Sequence, residues 1–323
     1  MRYRKFGRAA MEVSEIAHGL WGMSGWSGSE EKQSLEALQL AVDSGCNLFD
    51  TAWAYGNGNS DRLLGEILSR NRGKRLYAAS KIPPMNNQWP ASPKEKYSNV
   101  FPAAHVLKYT HLILEKLGTE SIDVLQFHVW DDRWTEESEF RETVEKLKQD
   151  GLIRYFGLSL NRWQPENGIQ ALHTGLVDAV QVIYNIFDQA PEDKLFPVCK
   201  KLNIGVIARV PLDEGSLGGK MTADTKFPAN DWRAKYFGPE NLSKTLERVE
   251  KLRPVVPASM NMPEMALRFI LSNPAVSTTI VGMRDPEHVR RNIAVSEAGA
   301  LGTALLQTLK AHRWDRSVQP WSD

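Results

Sequence analysis

Cysteine is almost missing from this chain: Cys46 and Cys199 are the only two, far apart and in no CxxC pair. That excludes a disulfide framework and a zinc site built from several cysteines. An excess of charge is missing as well. The 40 Lys and Arg residues stand against 39 Asp and Glu, for a net charge of +1, which argues against a nucleic-acid binder that works by neutralising phosphates. No stretch approaches the roughly 20 consecutive apolar residues of a membrane span. The opening Met-Arg-Tyr-Arg-Lys-Phe-Gly carries charge with no apolar core behind it, unlike a secretory signal. These absences point to a cytoplasmic protein whose partner is a small molecule, not nucleic acid or membrane. Nothing in them specifies an oligomeric state.

What is present is an ordinary globular composition, 42% hydrophobic and 24% charged over 323 residues, enough for two average domains or one large α/β barrel. Short apolar runs alternate with longer amphipathic stretches, as in repeated βα units. Strands are expected at residues 15–20, 46–50, 75–81, 121–128, 153–160, 179–184, 204–210 and 277–282. Helices are expected between them at 30–44, 103–117, 138–150 and 193–202, the first stopped by Gly45. Eight such units favour a closed (β/α)₈ barrel over an open sheet. The open sheet also wants GxGxxG after its first strand, and Gly19-Leu20-Trp21-Gly22 does not supply it. Ahead of the barrel, residues 4–13 read as a short hairpin turning at Gly7-Arg8. Residues 213–257 read as a long loop after strand seven, and a tail begins near residue 300. The whole chain, 1–323, reads as one domain.

In such barrels, polar residues at the C-terminal ends of strands face the active site. Asp50, Lys81 and His128 each end a strand, and Tyr55 follows Asp50 by one loop. Singly, each is an ordinary turn, capping or solvated residue; four on successive strands point to a site. A lysine beside a phenol favours the phenolate, so the phenol is expected to fall from ~10 towards working pH. It can then exchange a proton with a developing alkoxide, while the histidine polarises a carbonyl.

The stretch Asn47-Leu48-Phe49-Asp50-Thr51-Ala52-Trp53-Ala54-Tyr55-Gly56 resembles the aldo-keto reductase signature, with Asp and Tyr five apart. Ala79-Ser80-Lys81, the run from Ile122 to His128, that from Ile153 to Ser159, and Val180-Gln181-Val182-Ile183-Tyr184-Asn185 continue the likeness in order. So does Thr279-Ile280-Val281-Gly282-Met283-Arg284-Asp285-Pro286-Glu287-His288-Val289-Arg290-Arg291-Asn292. The resemblance spans roughly residues 1–300. It implies a metal-free oxidoreductase that moves hydride between NADP(H) and a carbonyl or alcohol, with Asp50, Tyr55, Lys81 and His128 as its tetrad and Tyr55 as proton donor. Gly19, Leu20, Trp21 and Asp50 are implied near the cofactor, and Ser159 and Gln181 at its nicotinamide carboxamide. The run 211–220, with Pro211, Leu212, Gly215, Ser216, Gly218 and Lys220, resembles the loop closing over the pyrophosphate. Gly282, Met283, Arg284, His288, Arg291 and Asn292 match the segment around the adenosine 2′-phosphate, where an arginine fork suits phosphate.

Two positions depart from the family pattern. A Ser-Asn pair is replaced by Ser159-Leu160-Asn161, which leaves the amide contact to Asn161 or to none. Arg209 stands where an aromatic ring often stacks on the nicotinamide; a guanidinium plane also stacks, but adds charge. Among ten tryptophans, Trp21, Trp26, Trp53, Trp130 and Trp134 fall on or after strand ends. They either line an aromatic pocket or belong to core and rim. Trp21, Trp53 and Trp130, with Tyr55 and His128, are the substrate-lining candidates. Two rival functions share the residues: a non-catalytic, cofactor-binding regulatory subunit, and an aldolase with Lys81 as a Schiff base.

Overall fold

The computed structural model describes residues 1–25 and 30–319; Trp26 lies outside the described residues. Two short strands, β1 (Tyr3–Lys5) and β2 (Glu12–Ser14), pair antiparallel. Eight more follow: β3 (Ile16–Gly19), β4 (Leu48–Asp50), β5 (Tyr77–Ile82), β6 (Ile122–Phe127), β7 (Ile153–Ser159), β8 (Ala179–Ile183), β9 (Gly205–Arg209) and β10 (Thr278–Gly282). All eight are parallel, and β10 closes on β3 to make a barrel. Each begins and ends within two residues of the expected strand. The barrel strands read as nearly unbroken apolar runs because both faces are buried, one in the barrel and one under helices. Each is followed by a helix on the outside, such as Glu31–Asp43 after β3 and Asn59–Arg70 after β4. No helix among the described residues is long and apolar enough to cross a membrane.

Side chains alternate inward and outward along a strand, with a period of two. The inward residues at the N-terminal end form one apolar cluster of Ala17, Leu48, Tyr77, Ala79, Val124, Ala179 and Ile207. Phe6, Met11 and Val13 of the β1–β2 hairpin plug it from below. The plug sits close enough that a Cβ on Gly7, at φ +54, would lie 2.3 Å from the backbone nitrogen of Gly205. Only glycine serves at a positive φ with backbone so near.

One expectation needs correction. Residues 213–257 are not one long loop: helices run through Arg233–Tyr236 and Pro239–Leu252. The second starts on Pro239, preset for a first helical turn, and buries Leu242, Thr245, Val249 and Leu252 along one face. The abundance of polar residues on its other face disguised the stripe. The tail also has structure. Helix Thr303–Lys310 is followed by a segment whose Trp314 amide donates to the Phe187 carbonyl at 2.7 Å.

Candidate active site

Period-two alternation puts Asp50, Lys81, Gln126, Gln181 and Arg209 on the inner wall at the C-terminal end of β4, β5, β6, β8 and β9. Tyr55 comes from the turn after β4. That turn is tight: Gly56 has φ +70, and a Cβ on it would meet the Ser24 carbonyl at 2.2 Å. Lys81 Nζ donates to Asp50 Oδ1 at 2.5 Å, to the Thr51 carbonyl at 2.8 Å and towards the Tyr55 hydroxyl at 3.5 Å. The other Asp50 oxygen accepts from Gln181 at 2.7 Å and from Gln126 at 3.4 Å. Asp50 and Lys81 are buried, and Tyr55 and His128 half-buried. The Tyr55 and His128 rings meet edge to face at 5.7 Å.

Burial acts to lower the Lys81 pKa, but Asp50 and Tyr55 outweigh it and hold the ammonium above its ordinary value. His128 is held well below its ordinary value by burial first, then by Lys81 and Arg209, so it is a neutral imidazole. Tyr55 overturns the sequence-based expectation. Burial pushes its phenol up, and although Lys81 and Arg209 pull down, the net direction is upward. The reason is that a desolvated phenolate loses more than a cation at 3.5 Å returns, with Asp50 absorbing part of that cation's field. The resting phenol therefore holds its proton.

A cavity of ≈ 150 Å³ opens beside this cluster, lined by Tyr55, Trp89, His128, Ser159, Gln181 and Arg209 among others. Larger hollows lie elsewhere, one of ≈ 850 Å³ around the hairpin and one of ≈ 530 Å³ along helix Pro239–Leu252. Neither touches Tyr55, Lys81 or His128, so size does not mark the site here. Trp89, missed in the sequence, stands edge-on to His128 at 4.6 Å and is 40% exposed. It lies in the irregular stretch after β5, where no periodicity announces which way a side chain turns.

Trp130 does not line the cavity as expected. It is fully buried, 4.8 Å from the Phe140 ring and 5.6 Å from Trp134, with its indole N–H on Asp132. Trp134 is also buried, donating to the Glu95 carbonyl. Trp53 packs edge-on against Tyr109 at 5.5 Å, and Trp21 against Trp232 at 6.4 Å. Asn161 borders the cavity, but its amide already donates to the Trp130 carbonyl and to Gln164. Arg209 donates to the Leu160 carbonyl at 3.0 Å, spanning the mouth from β9 to the end of β7.

Leu212, Gly215, Ser216 and Gly218 lie in or beside a 3₁₀ turn, 213–218, with Pro211 buried just before it and Lys220 exposed just after. Asp213, Glu214 and Gly215 take φ of +45°, +56° and +105°. Glu214 is tied to Arg162 at 2.9 Å, another contact that the sequence did not announce. Gly282 at the end of β10 and Arg284 just past it are exposed, and Met283 between them is buried, its carbonyl on His18. The Arg284 stem passes Gly22, where a Cβ would be 3.7 Å away. Helix Pro286–Ala298 starts here with Asp285 as its cap. His288 pairs with Asp285 and Arg291 with Glu287, both exposed, and Asn292 is half-buried.

A closed parallel barrel with a carboxylate, ammonium and phenol in contact at its C-terminal mouth, beside an imidazole, is equipped for acid–base chemistry on a small molecule. The sequence agrees: the model of the aldo/keto reductase family matches residues 15–313, and the chain belongs to that family. It is 30% identical over 301 residues to the aldo-keto reductase YhdN of Bacillus subtilis, covering 88% of this chain and 86% of that one. It is 26% identical over 310 residues to the NADH-specific methylglyoxal reductase of Escherichia coli, covering 91% and 93%. In three dimensions it is similar to the holo form of aldo-keto reductase AKR11C1 from Bacillus halodurans, with a TM-score of 0.78 at 22% identity over 100% of both chains.

Proposed function

We propose that the chain is a cytoplasmic NADP(H)-dependent carbonyl reductase, working on aldehydes, ketones or sugars, with Tyr55 as the proton donor. The observation that carries this is the contact of buried Lys81 with both Asp50 and Tyr55 at the wall of a cavity shared with His128. The cavity wall fits a nicotinamide. Ser159 offers a hydroxyl and Gln181 its amide oxygen, the nitrogen being held by Asp50 and Gln126, and His128 Nδ1 is buried with no partner among the described residues. When bound, the nicotinamide supplies or accepts the hydride at C4.

The chain's own residues do the rest. Neutral His128 orients and polarises the substrate oxygen, and protonated Tyr55 gives that oxygen its proton. Lys81 steadies the phenolate left behind, and Asp50 keeps Lys81 charged and in place. Gly19, Trp21 and Arg209 would border the nicotinamide and the 211–220 run would hold the pyrophosphate, whereas Leu20 is wholly buried in the core. Gly282, Met283, Arg284, His288, Arg291 and Asn292 would take the adenosine end. A regulatory subunit needs a cofactor groove but no buried acid–base cluster, so the cluster favours the enzyme.

The test is a spectrophotometric screen of NADPH and NADH oxidation with a panel of aldehydes, ketones and aldoses. Absence of turnover with all of them, alongside cofactor binding, would favour the regulatory subunit. Arg284 decides the cofactor, a live question because the Escherichia coli relative is named NADH-specific. His288 and Arg291 have acidic partners on the same helix, and Arg284 stands exposed just ahead of that helix, next to its capping residue Asp285. A charge-assisted bond is worth roughly 1.5–3 kcal/mol, so Arg284→Ala should weaken NADPH about ten- to a hundred-fold and leave NADH alone. Equal weakening of both, in titrations by tryptophan fluorescence, would remove this cluster from the phosphate.

A further inference from the structure

The segment after helix Thr303–Lys310 brings a guanidinium into the top of the barrel. The Arg316 side chain is 3% exposed and meets two carboxylates that are themselves buried, Asp188 at 6% and Asp213 at 1%. Its Nε donates to Asp188 Oδ1 at 3.0 Å and its Nη2 to Asp213 Oδ1 at 2.7 Å, while Nη1 donates to the Tyr236 hydroxyl at 3.2 Å. The plane lies 5.0 Å from the Trp163 ring and 4.7 Å from Trp314. Asp188 belongs to the loop after β8 and Asp213 to the 3₁₀ turn after β9, so one side chain ties two strand-end loops together.

The Asp213 end matters most. Its second carboxylate oxygen accepts from the Ser216 hydroxyl at 2.7 Å, inside the turn assigned above to the pyrophosphate. The turn holds Asp213 and Glu214 at positive φ, a conformation that side-chain-bearing residues leave unless something else fixes them. Removing Arg316 would leave Asp188 and Asp213 as two buried carboxylates without their cation, which forces either protonation or opening of the turn.

We propose that Arg316 is a positioning residue for the cofactor loop: through Asp213 it holds the 213–218 turn in shape, and so sets how fast the dinucleotide leaves. The proposal rests on the reading of the 211–220 run as the pyrophosphate loop. It also gives the segment around Arg316 a task at the site although it touches neither Tyr55 nor Lys81.

The test is stopped-flow release of NADPH, followed by tryptophan fluorescence, from wild type, Arg316→Ala, Asp213→Asn and Arg313→Ala. Loss of a buried charge contact of this kind is expected to raise the release rate roughly ten- to a hundred-fold in the first two. The carbonyl KM at saturating cofactor should stay within about twofold, a split that a general loss of structure would not give. Arg313 ties the same segment to Asp193 at the surface, away from the turn, so Arg313→Ala should release cofactor like wild type. Added guanidinium ion should slow release from Arg316→Ala and not from Asp213→Asn. If Arg316→Ala does not fold, Asp213→Asn decides alone. A wild type that binds NADPH while the folded variants release it unchanged overturns the latch and spares the cofactor reading. A wild type that binds no dinucleotide overturns both.

Discussion

At the N-terminal end of the barrel the inward positions are Ala17, Leu48, Tyr77, Val124, Ala179 and Ile207, closed off by Phe6, Met11 and Val13. One or two pleats higher on the same strands they are Gly19, Asp50, Lys81, Gln126, Gln181 and Arg209. Backbone and register are shared, so the difference is carried by side chains alone. The lower end excludes water and gives stability through area and close packing. The upper end contains a desolvated ion pair, which contributes little to stability and a great deal to holding protons at chosen atoms. Stability and chemistry are separated by about two residues along each strand.

The largest effect expected at the upper end is on rate. Tyr55→Phe removes the proton donor and nothing that binds cofactor, so turnover should fall roughly 10²–10⁴-fold, with NADPH affinity and melting temperature close to wild type. A variant that kept most of its activity would move the chemistry away from Tyr55. Next is Lys81→Met, which strips the partner from buried Asp50. Breaking such a pair costs about 3–5 kcal/mol, read as a lower urea midpoint. Lys81 pulls the Tyr55 pKa down, so its loss should also move the high-pH limb of the pH–rate profile, where the phenol loses its proton, further upward. An unmoved profile would mean that phenol and ammonium are uncoupled.

The lower end should behave in the opposite way. Phe6 is fully buried in the plug, and a Cβ on Gly205 would come within 2.9 Å of its ring. Phe6→Ala should cost about 3–5 kcal/mol by lost burial and the cavity left behind. Its kcat, measured where the variant is still folded, should match wild type. A reduced kcat there would break the comparison, because it would mean that the two ends of the barrel are not independent.

The legible part of the sequence was the part governed by period and position. Buried parallel strands announce themselves as apolar runs, and Asp50, Lys81 and His128 stood out because each interrupts such a run at its end. What was hidden depends on direction. Trp130 and Trp89 are both tryptophans on loops after a strand, yet the first turns into the core on Phe140 and the second faces His128. Nothing in composition separates them. Arg162 and Arg316 were invisible for another reason, since each acts on residues 52 and 103 positions away, on Glu214 and on Asp213. The direction of the Tyr55 shift is not legible in the sequence, which shows a neighbouring charge but not the desolvation that opposes it.

His18 lies between the two ends and sharpens the comparison from outside the barrel. It follows Ala17 on β3 but faces outward, fully buried and 6.1 Å from the Phe49 ring. Its Nε2 lies 2.9 Å from the Met283 carbonyl, so that nitrogen carries the proton and donates. Burial lowers its pKa from 6.5 to about 4, with the Met283 carbonyl pulling the other way. A folded-state value below the unfolded one means that the native state prefers the neutral ring. Its stabilising contribution is therefore complete above pH 6.5 and is lost as pH falls through 4. The shift corresponds to about 3 kcal/mol in all. Asp61 acts in the same window with the opposite sign, because burial raises its carboxyl from 3.8 to about 7 and stability falls as pH rises. The two slopes partly cancel in wild type, so the difference between wild type and variant is the quantity to measure. His18→Gln keeps an amide that can reach the Met283 carbonyl and cannot titrate. Urea unfolding from pH 7 to 4 should show wild type losing about 3 kcal/mol relative to this variant as acid is added. Parallel curves for the two proteins would mean that His18 protonates as readily in the folded barrel as in the unfolded chain.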